Sequence, residues 1–485
     1  MSEAPTSTDG VGAQAAESRR WWLVLLATSI GAFIVAANLS TVNVANPTIR
    51  QHFDASLSSV SWVVTAYAIV FAALLVPAGR VADRYGRRML YVSGLCVFAA
   101  GSLVSGIGPH LWIVVVGRAI QGIGAAFITP SAIGLLLEIT PPARRTRALA
   151  WTGGVSSMGV AMGPTLGALV VDHLGWRWSF LIAPPFAVVS YAVGRNVMPR
   201  TRQPDAEGRI DVVGLVLAIG AMGLVTLAIS EGRRWGWADS KTVVAFAVGA
   251  ICAVLFVLQC RRHPAPVLPL RLFRARSFAV ASIAGVVYGV ASGSILFVNV
   301  FFLTQVWHYS PSKAGFSMIP GPVVASFVAL FVGRVGSRYG ERALAVPGSL
   351  ILGLGIVLYV TRTNATPNYW SEWFLGAALT GVGVMLVFPM LSSAGVRDVE
   401  PHALSVATAA IRGAIQFGQA AGVSIVAAVL GANPTTVSVF HRAWLVLVAC
   451  CLGSAVVCMG LQPPIRAKPA ALRDAKLETA TNTSS

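Results

Sequence analysis

The chain has 485 residues, 55% of them hydrophobic and only 11% charged, with mean hydropathy +0.72 and net charge +18. A soluble domain carries roughly 25% charged residues, so this composition excludes an ordinary water-soluble enzyme as well as disordered or fibrous chains. A basic surplus can mark nucleic-acid binding, but here the basic residues form short clusters between long apolar runs, as membrane topology requires. Lipid is the expected partner, and nucleic acid is not.

Residues 1–20 are polar and rich in small side chains, and read as a disordered cytoplasmic tail with Arg19-Arg20 as an inside anchor. A spanning helix needs about 20 apolar residues. By that measure the chain offers about fourteen segments, at 21–46, 58–78, 88–107, 110–138, 146–170, 178–198, 211–230, 242–260, 276–305, 313–333, 342–360, 372–394, 405–430 and 441–461. None alternates with period two, so all are predicted to be helices, which satisfy their own backbone groups in lipid. Residues 462–485 read as a second tail. Roughly 26 of the 36 Lys and Arg fall in the termini and in the loops after even-numbered segments, which places both termini in the cytoplasm of a multi-pass cell-membrane protein. The six cysteines have no metal-ligand spacing, so neither a metal nor another cofactor is expected.

An internal repeat organises these segments. Gly79-Arg80-Val81-Ala82-Asp83-Arg84-Tyr85-Gly86-Arg87-Arg88 returns about 255 residues later as Gly333-Arg334-Val335-Gly336-Ser337-Arg338-Tyr339-Gly340-Glu341-Arg342. Val42-Asn43-Val44 returns as Val298-Asn299-Val300, and the pair Gly159 and Gly163 as Gly418 and Gly422, at nearly the same offset. The chain therefore divides into a six-helix bundle at 21–198, linkers and an inserted helix pair at 199–275 (211–230 and 242–260), and a second six-helix bundle at 276–461. Parallel repeats of this kind place a substrate cavity between the halves, near the bilayer midplane.

The motif at 79–88 resembles the signature loop of the major facilitator superfamily. Arg118-Ala119-Ile120-Gln121-Gly122 resembles its fourth-helix motif. Gly159, Gly163, Pro164 and Gly167 resemble the fifth-helix motif found mainly in exporters, with Ala168 where a further Gly is usual. Thr41-Val42-Asn43-Val44-Ala45-Asn46-Pro47 resembles the first-helix motif of the fourteen-spanner drug:proton antiporters. The resemblance implies a secondary active exporter of drugs, antibiotics or related small amphipathic molecules, acting as a monomer by alternating access and driven by a proton gradient. It also implies that Gly79, Asp83, Arg84, Gly86, Arg87 and Arg88 form a conformational latch. From the residues themselves, Gly79 and Gly86 would permit close helix approach and a tight turn. Pro164 would bend its helix, and the three glycines around it would line a packing face.

Ionisable residues inside the membrane mark function by default. Arg118 and Arg412 are the deep cations; every Asp and Glu lies in a loop or at a segment end. Arg412 and Gln416 share a helical face, as do Arg118 and Gln121. With Asn38, Asn43 and Asn299 these residues are the expected substrate cavity. In the resembled antiporters a carboxylate stands where this chain has Asn38. That departure opens an alternative, a facilitator or exporter of a neutral or anionic metabolite or lipid without standard proton coupling. If protons are coupled, the candidate acids are Glu138 and Asp172. A membrane enzyme would need clustered nucleophiles, metal ligands or acid pairs, the seven His are scattered, and no P-loop is present, so an enzyme is not expected.

Overall fold

A computed structural model describes residues 7–199, 211–400, 403–431 and 434–461, and among them every regular element is a helix. The first half comprises α1 (Ser7–His52), α2 (Leu57–Tyr85), α3 (Arg87–Ile107), α4 (Leu111–Ile139), α5 (Pro142–Leu174), α6 (Trp178–Leu181) and α7 (Ala183–Gly194). The inserted pair is α8 (Val212–Trp235) and α9 (Ser240–Arg262). The second half comprises α10 (Arg276–Gln305), α11 (Pro311–Ser317), α12 (Pro320–Tyr339), α13 (Glu341–Arg362), α14 (Phe374–Ala394), α15 (Leu404–Leu430) and α16 (Val437–Cys458).

Every predicted segment is helical, but the count of full spans differs. Among the described residues twelve helices are long and apolar enough to cross a membrane, or thirteen if a bent pair in α5 is one span, against the fourteen expected. The bent pair is Gly154–Val160 and Met162–Leu174, which meet at 41°. Pro164 lacks the N–H that would bond the Val160 carbonyl, so the break falls where the backbone ladder is interrupted. The remaining segment, predicted at 178–198, is an apolar helix of shorter length, Trp178–Gly194, divided between α6 and α7. Pro184 and Pro185 open α7 and cannot donate back into α6. A second correction concerns the leading tail: α1 is helical from Ser7, because Ala13-Gln14-Ala15-Ala16-Glu17 are strong helix formers. The tail expected at 462–485 and most of the linker after residue 199 lie outside the described residues.

The two halves pair their helices alike. Contacts of α1 with α4, α5 and α7 match those of α10 with α14, α15 and α16, and the α2–α4 and α3–α4 contacts match α12–α14 and α13–α14. The repeated motif loops also share a backbone solution: Gly86 joins α2 to α3 at φ 106°, and Gly340 joins α12 to α13 at φ 84°. Each lies in the left-handed region where a Cβ is strained, and each donates its N–H to the fourth residue back. The inserted α8 and α9 pack on each other, while α8 also touches α2 and α15. The outer face of α9 (Val244, Ile251, Val254) is exposed, as a lipid-facing surface should be.

The shared core is lopsided. First-half residues that join second-half residues in the main apolar cluster include Val42, Ile49, Leu57, Val60, Val171 and Phe180, all towards the end of the bundle that carries Asp172. Towards the end that carries Asp83, the cluster around Tyr91, Phe98 and Leu135 is built from the first half, with Ala409 packed against it. The halves are thus sealed together at the Asp172 end.

Candidate functional site

Helix α4 is drawn close to its neighbours by missing side chains. A Cβ at Gly122 would lie 2.8 Å from the Tyr67 carbonyl oxygen of α2, and one at Gly101 of α3 would lie 2.6 Å from the Gln121 nitrogen. This approach brings Arg118 against the α2 backbone. Arg118 is fully buried: its Nε donates to the Val63 carbonyl at 2.6 Å, and its Nη1 donates to Asn38 Oδ1 at 2.6 Å and to Gln121 Oε1 at 2.8 Å. Gln121 passes the chain on, its Nε2 donating to Ser102 Oγ at 2.5 Å. The guanidinium lies 4.3 Å from the centre of the Tyr67 ring, a cation–π contact. Three predicted residues, Asn38, Arg118 and Gln121, therefore form one network joining α1, α3 and α4 to α2.

The network ends in surplus donors. Arg118 Nη2, Asn38 Nδ2 and the Tyr67 hydroxyl are buried without a hydrogen-bond partner. A buried unpaired donor costs about 1–3 kcal/mol, and a charged one more, so these three groups are the network's open hydrogen-bonding positions.

The other predicted cavity residues stand apart. Asn43 bonds its own helix through Leu39 at 2.9 Å and leaves its Oδ1 unpartnered. Asn299, its repeat mate, accepts from Trp444 Nε1 at 3.0 Å within an aromatic cluster of Phe302, Tyr359, Trp373 and Trp444. Both asparagines are buried, and among the described residues neither is hydrogen-bonded to the Arg118 network. Helix α15 turns Gly413 towards α2 and Gly418 towards α10, and Arg412 and Gln416 lie on the remaining part of its circumference. Arg412 is half-buried with its Nε unpartnered, and among the described residues no hydrogen bond joins Arg412 or Gln416 to the Arg118 network.

The loop motif centres on Arg87. It bonds Asp83 at 3.0 Å and the Gly134 carbonyl at 3.1 Å, and lies 4.0 Å from Glu138. Arg88 donates to the Arg195 carbonyl, and the Arg84 guanidinium lies 5.4 Å from the Tyr85 ring. These bonds hold α2 and α3 to α4 and to the end of α7. Gly79 corrects one expectation, for a Cβ there would meet nothing within 4 Å; Gly86 alone of the pair is required by geometry. On α5 the glycine face is real. Added Cβ atoms would lie 2.9 Å from the Phe33 oxygen at Gly159, 2.5 Å from Ser40 Cβ at Gly163 and 2.7 Å from Thr41 Cγ2 at Gly167, so the whole row seats against α1.

Sequence reasoning missed Asp211. Its buried carboxylate caps α8 through Gly214 N at 2.8 Å, accepts from Gln259 Nε2 of α9 at 2.8 Å and from Val267 N at 3.4 Å. An Asp directly before an apolar run is a helix-start signal, which was legible; its two distant partners were not.

Comparison with known proteins agrees with this geometry. Residues 28–423 match the Major Facilitator Superfamily. The chain is 31% identical over 428 residues to the puromycin resistance protein pur8 of Streptomyces alboniger, covering 86% of this chain and 83% of that one. It is 29% identical over 415 residues to the tetracenomycin C resistance and export protein of Streptomyces glaucescens, covering 85% and 77%. Among solved structures it resembles tetrameric PepTSo2 (TM-score 0.65, 14% identity, 92% and 98% covered) and the nucleoside transporter NupG (TM-score 0.64, 13% identity, 90% and 99% covered); at these identities the likeness is one of fold. With two like-folded halves, the loop motif and the α1–α5 seam in place, the chain belongs to the Major Facilitator Superfamily and is a membrane transporter rather than an enzyme.

Proposed function

We propose that this protein is a secondary active exporter of antibiotic-like amphipathic molecules, working in the cell membrane by alternating access. The observation that carries the reading is the pair of like-folded halves, sealed at the Asp172 end, with the donor-rich Arg118 network in the first of them. The Lys and Arg bias supports a cytoplasmic Asp83 end, and in this reading the conformation is the one closed to the outside. Rocking of the halves would open the Asp172 end and close the Asp83 end. The resistance and export proteins to which the chain is similar favour outward drug movement. Membership of the fourteen-spanner antiporters and coupling to proton influx belong to the same proposal. Because Asn38 cannot titrate, the coupling acid would be Glu138, which lies by Arg87, or Asp172, which bonds α11.

A second reading, transport of a neutral or anionic metabolite or lipid without proton coupling, is favoured by one observation: among the described residues the acceptors that meet the Arg118 guanidinium are amides and a carbonyl, with no carboxylate. A drug-susceptibility panel in an efflux-deficient host, with and without a protonophore, separates the two. Resistance to at least one compound that vanishes with protonophore and with Arg118→Ala supports proton-driven export. Resistance indifferent to protonophore supports the second reading, and no resistance to any compound overturns the exporter.

A further inference from the structure

We infer that the Arg118 network is a binding site for one monovalent anionic group, held by Arg118 Nη2, Asn38 Nδ2 and the Tyr67 hydroxyl. The inference deepens the exporter reading and rests on it only for the claim that the anion belongs to cargo. Its basis is a donor count. Arg118 has five N–H groups, and the Val63 oxygen, Asn38 Oδ1 and Gln121 Oε1 take those of Nε and Nη1. Asn38 and Gln121 both turn their oxygens to Nη1 of Arg118, and neither reaches Nη2. What remains is the two hydrogens on Nη2, two on Asn38 Nδ2 and one on Tyr67, all buried and unpartnered. They belong to residues in direct contact with a fully buried guanidinium, which pairs with no carboxylate among the described residues. A second neutral donor would worsen this count, and a cation would be repelled. A carboxylate, an ionised phenol or a halide would satisfy it, with charge-assisted bonds stronger than neutral ones. Tyr67 packs its ring against the guanidinium and stacks on Phe71 at 5.8 Å, which holds its hydroxyl in a fixed place beside the charge.

The same anionic chemistry could come from the cargo or from an inorganic ion, and titration of the purified full-length protein separates them. Benzoate and chloride are titrated separately by calorimetry in a methanesulfonate buffer of constant ionic strength. Benzoate should bind at millimolar concentrations and be displaced by chloride. Its affinity should fall about tenfold or more in Arg118→Gln and several-fold in Tyr67→Phe, which removes only the hydroxyl. Asn38→Asp is the sharpest variant, because a carboxylate placed in the network takes up the donors itself. It should abolish benzoate binding while raising the melting temperature of the anion-free protein. Chloride binding that follows these variants without benzoate binding assigns the site to an inorganic ion instead of cargo. Absence of binding by both probes, or benzoate binding unchanged in Asn38→Asp, overturns the inference. Anion binding in a protein that moves no drug keeps the site and removes the exporter reading, and drug efflux without anion binding does the reverse.

Discussion

The backbone N–H of Ser312 donates to Asp172 Oδ2 across 2.8 Å, so the end of α5 in the first half caps the start of α11 in the second. A carboxylate is well placed there, since the first turn of a helix offers unpaired N–H groups and a favourable dipole. Just inside, Gly315 of α11 sits against Pro164 and Ala168 of α5, on the far side of the bend that Pro164 produces. The seal between halves is therefore polar at its rim and close-packed beneath.

Removing the rim should loosen the seal without unfolding either half. Asp172→Ala is expected to raise the accessibility of a cysteine introduced at Ala168 to a membrane-impermeant thiol reagent, with labelling about two- to fivefold faster. Labelling at the wild-type rate would show that the cap plays no part in closure.

Substitutions at two glycines of related motifs should behave oppositely. Gly163→Ala forces a Cβ to within 2.5 Å of Ser40 Cβ and 2.9 Å of the Ala37 carbonyl, so α1 and α5 must part at a cost of about 1–3 kcal/mol. Gly79→Ala meets open space in a helix and should change stability little, or raise it by up to about 1 kcal/mol. Melting temperatures of the two purified variants check the contrast, and equal losses would refute it.

Asp211 ties the inserted pair together and to the segment leading into α10. Asp211→Ala leaves the Gly214 N–H, the Gln259 amide and the Val267 N–H without their acceptor, an expected loss of about 1–3 kcal/mol. Beside it Arg80 of α2 donates to the Pro266 carbonyl at 2.5 Å. Limited proteolysis in the 263–269 segment should accordingly speed up in the variant; an unchanged cleavage rate would place the hairpin's anchorage elsewhere.

Local spacing conveyed what one helix or one motif determines. Arg118 and Gln121, three apart on a helix, do bond each other, and the Gly159, Gly163 and Gly167 row does form a seam. The motif loops at Gly86 and Gly340 do repeat their geometry. Partners far along the chain were invisible, because a helical period names a face and not what it meets. Nothing in the sequence shows that Asn299 accepts from Trp444, or that Tyr67 lies over Arg118. The shortened sixth segment was missed for a different reason: hydropathy sums across Pro184 and Pro185, whereas the backbone ladder breaks there.

Alternation of the two halves is the claim on which the functional account depends, and the distance between their sealed ends reports it most directly. Spin labels at the exposed positions His173 and Lys313 flank the Asp172–Ser312 bond. In lipid, with a compound to which the protein confers resistance, their distance distribution should split into the short population of this structure and a longer one. A single short distance under every condition of ligand and pH would contradict rocking of the halves about the Arg118 network.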